Sequence, residues 1–328
     1  MMGEFDFIRN YFAPLTASAP GAFNLTDDAA VLSANEYVVT KDVLIADVHF
    51  RAKDPVDLIA RKALRVNISD IASMGAKPVG YLLGCIWPTT VKPAMIEQFA
   101  SGLAEDQAAF NIALYGGDTT VHRKKGAPLT VSVTMFGTPP KSGVVRRSTA
   151  KLDDDLYVTG TIGDAGLGLK TLLREERFTT VDKASLAARY HLPEPRLRMG
   201  AAIAGLASAA IDVSDGLIAD AGKLAAASGL RAEIDAVSIP RSTAAASWIA
   251  RQDSRWRAFA AVATAGDDYE LLFSAPKSMR RSVMMAAKAS RTEVTRIGCL
   301  ARGEGAVLLN ENSVEVPITD TGYDHFAR

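Results

Sequence analysis

Cysteine and histidine are both scarce in this chain, at two and four among 328. Cys85 and Cys299 stand singly in the apolar stretches "LLGCIWP" and "RIGCL". Neither makes a CxxC or any other metal-like spacing, so both read as buried structural thiols in a reducing compartment. The histidines are too widely spaced for a zinc site. Charge of one sign is also lacking. The 37 basic and 37 acidic residues cancel, which removes electrostatic support for a nucleic-acid or acidic-membrane partner. The one compact basic run, His122 to Lys125, lies between turn residues and reads as a solvated loop. No apolar run approaches the roughly 20 residues that span a bilayer. The first stretch, "MMGEFDFIRN", carries acids early and no apolar core, unlike a signal peptide, so the expected location is cytoplasmic. There is no serine nucleophile elbow. "GDAGLGLKT" fails as a phosphate loop because Leu169 stands where a lysine is required.

What is present is an ordinary globular balance, 48% hydrophobic and 23% charged, in a chain longer than one core usually organises. Two domains are expected. "EYVVTKDVLI" (Glu36 to Ile45), "KPVGYLLGCIW", "IALYGGD" and "LTVSVTMFG" read as strands, the third stopping at its glycines. Between them a helix runs from Pro55 to about Met74, with Asp54 as its cap, Asp57 near its positive end and Gly75 as its stop. "AMIEQFASGLAEDQAAF" forms a second helix. The break "GTPPKSGVVRRSTAKLDDD" (Gly137 to Asp155) is rich in proline, glycine and charge and holds the domain boundary, dividing the chain into 1–138 and 139–328. The second part opens with the strand "LYVTG", and "GTIGDAG" makes a tight turn into a helix. A strand near Ile211, a helix ending at Gly229, an alanine-rich helical stretch from Ser242 to Ala265 and a strand in "DYELLFSAP" follow. The fold class is α/β (α+β), mixed sheets packed with helices.

Several acids occupy expensive places. Ile59, Ala63, Val66, Asp70 and Met74 fall at helical spacing, so Asp70 projects from the face that should be buried. A buried carboxylate must be paired, hydrogen-bonded or metal-bound. Asp27 and Asp28 precede the apolar run of "TDDAAVL", and Asp42 lies inside "TKDVLI". Asp118 follows two glycines in "YGGDTT", and Asp212 and Asp215 flank a serine in "IDVSDGL", where a strand hands over to a helix. A single aspartate of this kind is a turn or cap residue. Repeated at strand ends and on an apolar face, they form a different pattern, which matters if those ends converge. Converging carboxylates repel unless a hard cation relieves them, and Mg²⁺ takes oxygen ligands and shares its site with phosphates.

The blocks "DDAAVL", "TKDVLIADVHF", "KALRVNISDIASMGAKP", "YGGDTT", "VTGTIGDAGLGL", "PEPRLRMG", "IDVSDGLIAD", "GDDYELLF" and "GYDHF", in this order from Asp27 to Phe326, resemble the thiamine-monophosphate kinase family. That family lies in the superfamily of aminoimidazole ribonucleotide synthetase. "NISDIASMGAKP", "GGDTT" and "DVSDGL" mark the superfamily, while "VHF", "GDDYEL" and "GYDHF" point to the kinase. The resemblance implies a two-domain synthetase-like fold and a homodimer formed through the N-terminal domains. It implies phosphorylation of thiamine monophosphate by ATP to give thiamine diphosphate, with several Mg²⁺ ions. The implied metal ligands are Asp28, Asp42, Asp70, Asp118, Asp212 and Asp215, with Thr40 adding an oxygen. Gly117, Asp118, Arg147 and Ser214 match ATP-binding positions, and His49, Asp267 and Tyr323 match substrate-binding positions.

Three positions depart from the family pattern. Thr26 replaces a glycine before the paired acids. Lys41 stands between Thr40 and Asp42, where it either lowers the metal count or contacts a phosphate. Asp267 replaces a glutamate, one methylene longer. The implied nucleophile is a phosphate oxygen. A phosphate monoester has a second pKa of about 6 and is mostly dianionic at neutral pH, so neither a general base nor a covalent nucleophile is required. Ser214 at a helix start serves a phosphate or simply caps the helix. Tyr323 and Phe50, with Trp87 as a further candidate, are aromatic residues for an apolar substrate slot. The alternatives are another ATP-using synthetase of the superfamily and a noncatalytic thiamine-phosphate or nucleotide sensor.

Overall fold

The computed structural model describes residues 20–32, 36–319 and 322–323. "MMGEFDFIRN" and the last three residues of "GYDHF" lie outside the described residues. The first half contains strands β1 (Ala30–Leu32), β2 (Tyr37–Ile45), β3 (Lys77–Trp87), β4 (Ala113–Val121) and β5 (Thr130–Thr138), and helices α1 (Val56–Ser73) and α2 (Pro93–Phe110). The strands form one sheet in the order β1-β2-β5-β3-β4, antiparallel except where β3 and β4 run parallel. Alternation along β2 and β5 sends Val38, Leu44, Val131, Val133 and Met135 into a core with Ile59, Ala63 and Phe99 of the helices.

The second half contains β6 (Asp155–Thr159), β7 (Ala209–Asp212), β8 (Arg231–Asp235), β9 (Leu271–Ala275), β10 (Val294–Ala301) and β11 (Ala306–Leu309). Their sheet runs β11-β8-β10-β6-β9-β7. Its helices are α3 (Asp164–Leu173), α4 (Thr180–His191), α5 (Leu197–Ile203), α6 (Leu217–Ala227), α7 (Thr243–Ala250), α8 (Arg255–Ala263) and α9 (Arg280–Ser290). β6, β7 and β9 are buried along their whole length, as expected of strands covered on both faces. The architecture is the expected one of mixed sheets packed with helices.

Four local expectations are corrected. β4 does not stop at its glycines but runs on to Val121. A Cβ at Gly117 would stand 1.9 Å from the Leu83 carbonyl oxygen, so glycine lets β4 lie against β3 rather than ending it. The alanine-rich stretch is two helices, because the Ser254 hydroxyl accepts the Arg257 N–H at 3.4 Å and starts α8 afresh. Asp54 does not cap α1. Its carboxylate instead accepts the Arg51 N–H at 2.8 Å and faces His191 Nε2 at 3.1 Å. β9 starts only at Leu271, since Asp267 and Tyr269 have φ of 74° and 50°, outside the strand region. Of the two thiols, Cys85 is buried and Cys299 is only half-buried.

α1 decides how the halves meet. Its apolar stripe is buried as expected, but Lys62, Asn67, Ser69 and Ser73 are buried too. One side of α1 packs on β2 and β5, and the other on α5 and β7 of the second half. The helix is therefore shared between the two sheets, and its polar side chains become interface groups rather than solvated ones.

Candidate active site

Thr40 and Asp42 on β2, Asp70 on α1, Asp28 before β1 and Asp212 at the end of β7 meet where α1 crosses the two sheets. Carboxylate oxygens of Asp28, Asp70 and Asp212 all lie within 4.8 Å of one another. Hydroxyls line up behind them. Thr40 donates to Asp70 Oδ2 at 2.6 Å, Ser69 to Asp212 Oδ2 at 2.7 Å, and Ser73 lies 3.1 Å from Asp28 Oδ2. Asp28 also pairs with the Arg147 guanidinium, and the Arg147 N–H donates to Asp27 Oδ1 at 2.8 Å.

Burial and mutual repulsion act together here. Burial, then the charges of Asp42, Asp212 and Asp28, hold the Asp70 carboxyl well above the usual carboxylate range. Burial and then Asp28 do the same to Asp212. Asp42 is pushed up to about 6 by burial and the Asp28 charge. Asp28 is raised by burial despite Arg147. Burial disfavours the charged form of Arg147, but Asp28 and Asp27 more than offset it and its pKa is raised. One guanidinium therefore faces several acids.

The other sequence candidates are placed as follows. Asp215 stands outside the three-acid group and pairs with Lys223, which also binds Asp220 at 2.7 Å. Asp118 and Gly117 lie on the exposed β4, and the Asp118 carboxylate accepts the N–H of Thr119 at 2.9 Å. A single chain does not bring Asp118 to the three acids among the described residues. Lys41 leaves β2 on the face opposite Thr40 and Asp42, bonding Ser132 Oγ at 2.6 Å. The period of two thus turns its ammonium away from the acids. Ser214 is not a helix cap: Gly216 holds the cap position of α6 and makes no side-chain cap bond.

Beside the acids lies a cleft of about 800 Å³, lined among others by Asp42, His49, Phe50, Ser214, Asp215, Asp267 and Tyr323. His49 Nδ1 accepts the Ile45 N–H at 3.1 Å, so its ring is oriented by the backbone. Tyr323 is 50% exposed and reaches the cleft because its N–H donates to the Asp215 carbonyl at 3.1 Å. Trp87 does not line it. Its indole donates to Thr119 Oγ1 at 2.9 Å and packs edge-on against Phe99 in the core. The glycine turn after β6 is a structural joint. Gly163 adopts φ of 86°, and its N–H donates to Asp268 Oδ2 at 2.6 Å.

Lys62 and Tyr269, which lie inside family blocks, and Lys223, which lies outside them, also belong to this region, and none of the three is a motif-assigned site residue. Tyr269 lines the cleft. Lys62 Nζ lies 2.5 Å from Asp267 Oδ2. Its signal is present in the chain: Lys62 falls three residues after Ile59 and four before Val66, on the apolar stripe where a lysine is as anomalous as Asp70.

The chain matches the family model of the AIR synthase related protein, N-terminal domain, over residues 26–138, and that of the C-terminal domain over residues 152–308. A thiamine-monophosphate kinase of Caulobacter vibrioides is 42% identical over 305 residues, 92% of this chain and 85% of the relative. The structure of AaThiL complexed with AMPPCP and TMP is similar with a TM-score of 0.84 and 27% identity, over 99% of this chain and 97% of that one. Thiamine-monophosphate kinase from Stenotrophomonas maltophilia K279a follows with a TM-score of 0.76 and 36% identity, over 91% and 96%.

Proposed function

The chain belongs to the thiamine-monophosphate kinase family, and from that premise we propose that it transfers the γ-phosphoryl group of ATP to thiamine monophosphate, giving thiamine diphosphate and ADP. The observation that carries this reading is the meeting of Asp28, Asp70 and Asp212 beside a cleft walled by both halves of the chain. The donor set suits a hard cation. It consists of carboxylate oxygens, crowded and raised in pKa, buried at Asp212 and half-buried at Asp28 and Asp70, with one guanidinium among them. Asp28, Asp70 and Asp212 would hold Mg²⁺, with Asp42, Asp215 and the Thr40 hydroxyl beside them. When bound, the metal would screen the phosphates from one another and favour in-line transfer.

The chain's own groups do the rest. The thiamine monophosphate dianion needs no proton removed, in keeping with the absence of an assigned base. Arg147 supplies a fixed positive charge at the nucleotide end. Ser214 precedes α6, whose N-terminus favours an anion. We assign Gly117 and Asp118 to the ATP side on their motif alone. His49, Phe50, Asp267 and Tyr323 hold the organic end of the substrate in the cleft. A cytoplasmic location and a division at residues 138 and 139 complete the proposal.

We also propose that the enzyme is a homodimer through its N-terminal half. Val43, Leu82 and Ile86 are exposed on the sheet face turned away from α1, and Leu114, Tyr115 and Val121 are exposed along the edge strand β4. Such a face and edge invite a second copy. The pair Leu82→Asp and Tyr115→Arg is expected to convert a particle of twice the chain mass into one of single mass, read by light scattering after gel filtration. A parent protein already of single mass would remove the dimer.

The direct test is ADP release with ATP and Mg²⁺, comparing thiamine monophosphate, free thiamine and aminoimidazole-pathway substrates. Turnover with thiamine monophosphate alone, yielding thiamine diphosphate, is expected. Saturable binding without turnover would favour a sensor, and turnover with another substrate a sibling synthetase.

A further inference from the structure

Lys62 is 2% exposed, and its ammonium is buried between the two halves. Nζ lies 2.5 Å from Asp267 Oδ2 and 4.0 Å from the centre of the Tyr190 ring, at the end of α4. Asp267 is not buried with it. Its side chain remains 27% exposed and lines the cleft, while Lys62 stands behind it.

We propose that Lys62 is a positioning residue for recognition of the organic end of the substrate, acting through Asp267. The inference rests on the kinase reading. Asp267 and Tyr269 both occupy the left-handed region, so the regular strand β9 begins only after this loop. The backbone is tied to the segment after β7 at three points, Asp267 N–H to the Ser214 carbonyl at 2.7 Å, Tyr269 N–H to the Val213 carbonyl at 2.8 Å and Val213 N–H to the Glu270 carbonyl at 2.8 Å. None of these bonds sets the direction of the Asp267 side chain. Lys62 does, through a short charge-assisted contact made where water is largely excluded. With Oδ2 held from behind, Oδ1 is the oxygen left to accept from the cleft.

The chemistry of the proposed substrate matches such an acceptor. The aminopyrimidine ring presents an exocyclic amine, and the thiazolium carries a permanent positive charge. Both take a carboxylate, and both lose affinity if that carboxylate swings away. The short side chain is part of the arrangement. Aspartate has one torsion fewer than glutamate, so a single anchor on one oxygen determines where the other points. The face of Tyr190 adds a cation–π contact that keeps the ammonium at its post. Lys62 also comes from the half that carries His49 and Phe50, whereas Asp267 comes from the other, so the pair sets the two walls of the cleft relative to each other.

The test is a double-mutant cycle in steady-state kinetics on the full chain. Lys62→Met is expected to raise KM for thiamine monophosphate at least about tenfold while KM for ATP stays within about twofold. Asp267→Asn is expected to do the same. The double variant is expected to be no worse than Asp267→Asn alone, because a lysine that acts only through Asp267 has nothing left to position. Multiplying effects, an unchanged KM in Lys62→Met, or equal rises in both KM values would overturn the proposal. If Lys62→Met does not fold, Lys62→Gln is read in the same way, with a rise of about threefold or more expected. Absence of turnover by the parent protein overturns the kinase reading and this inference with it. Parental turnover with no effect at Lys62 overturns this inference alone.

Discussion

Changing Asp212 to Asn is expected to lower kcat by about 10²–10³-fold and, in EDTA at neutral pH, to raise the melting temperature. Both effects follow from one feature. Asp212 is 2% exposed and shares its surroundings with Asp28 and Asp70. An asparagine keeps an oxygen for the Ser69 hydroxyl, and its amide donates to neighbouring carboxylates, so the fold gains a partner where it had a like charge. The same change removes an anionic oxygen from the proposed metal site.

The sign of the pH dependence is set by the direction of the shifts. Asp70 and Asp212 have raised pKa values in the folded chain. Their contribution to stability is full below the ordinary aspartate value of about 3.9 and is lost as pH rises through the folded values. Asp42, at about 6, places part of that loss between pH 4 and 7. Metal-free parent protein should therefore lose stability over this window, and Asp212→Asn should lose less. Mg²⁺ should restore the parent and hardly affect the variant. Calorimetric melting in EDTA and in Mg²⁺ decides the matter. A variant that melts below the parent in EDTA would show that the acids are not in net repulsion, and near-parental turnover would remove Asp212 from the metal proposal.

The second large effect is structural. Glu270, in the same "GDDYEL" block as Asp267, is fully buried. It accepts from Arg196 Nε and Nη2, both at 2.6 Å, from Arg189 at 2.7 Å and from the Thr159 hydroxyl at 2.6 Å. It therefore ties β6, α4 and α5 to the loop that carries Asp267. Burial raises its pKa, but the arginines and the hydroxyl win and hold it below the usual value. Its contribution is thus present above the ordinary glutamate range and is lost as pH falls through the lowered value. Glu270→Ala is expected to destabilise the fold by about 3–5 kcal/mol, because it leaves the Arg189 guanidinium without a carboxylate in the interior and Arg196 with the exposed Glu194 alone. Urea denaturation at pH 7 measures this. A loss under about 1 kcal/mol would mean that water reaches the arginines and that the cluster is not the joint described.

Glu270 shows what a motif can conceal. "GDDYEL" marks the block but not the division of labour inside it. Asp267 faces the cleft, Asp268 binds the amides of Gly163 and Ala165, and Glu270 binds arginines. Three acids within four residues point three ways because Asp267 and Tyr269 adopt left-handed backbone, which no hydrophobic period announces. The separation of Lys41 from Asp42, by contrast, follows from strand alternation alone.

The sequence by itself determined the elements and the suspicion about the acids. Strand and helix periods give β2, β3 and α1 nearly to the residue, and an aspartate on the apolar stripe of α1 needs a partner wherever it lands. The tertiary structure decided which acids meet. Asp28, Asp70 and Asp212 come from positions far apart in the chain and converge only because α1 is packed between two sheets, whereas Asp118 stays on an exposed edge. Local pattern encodes which way a side chain faces on its own element. Distance between elements depends on how their surfaces pack, and packing is a property of the whole chain.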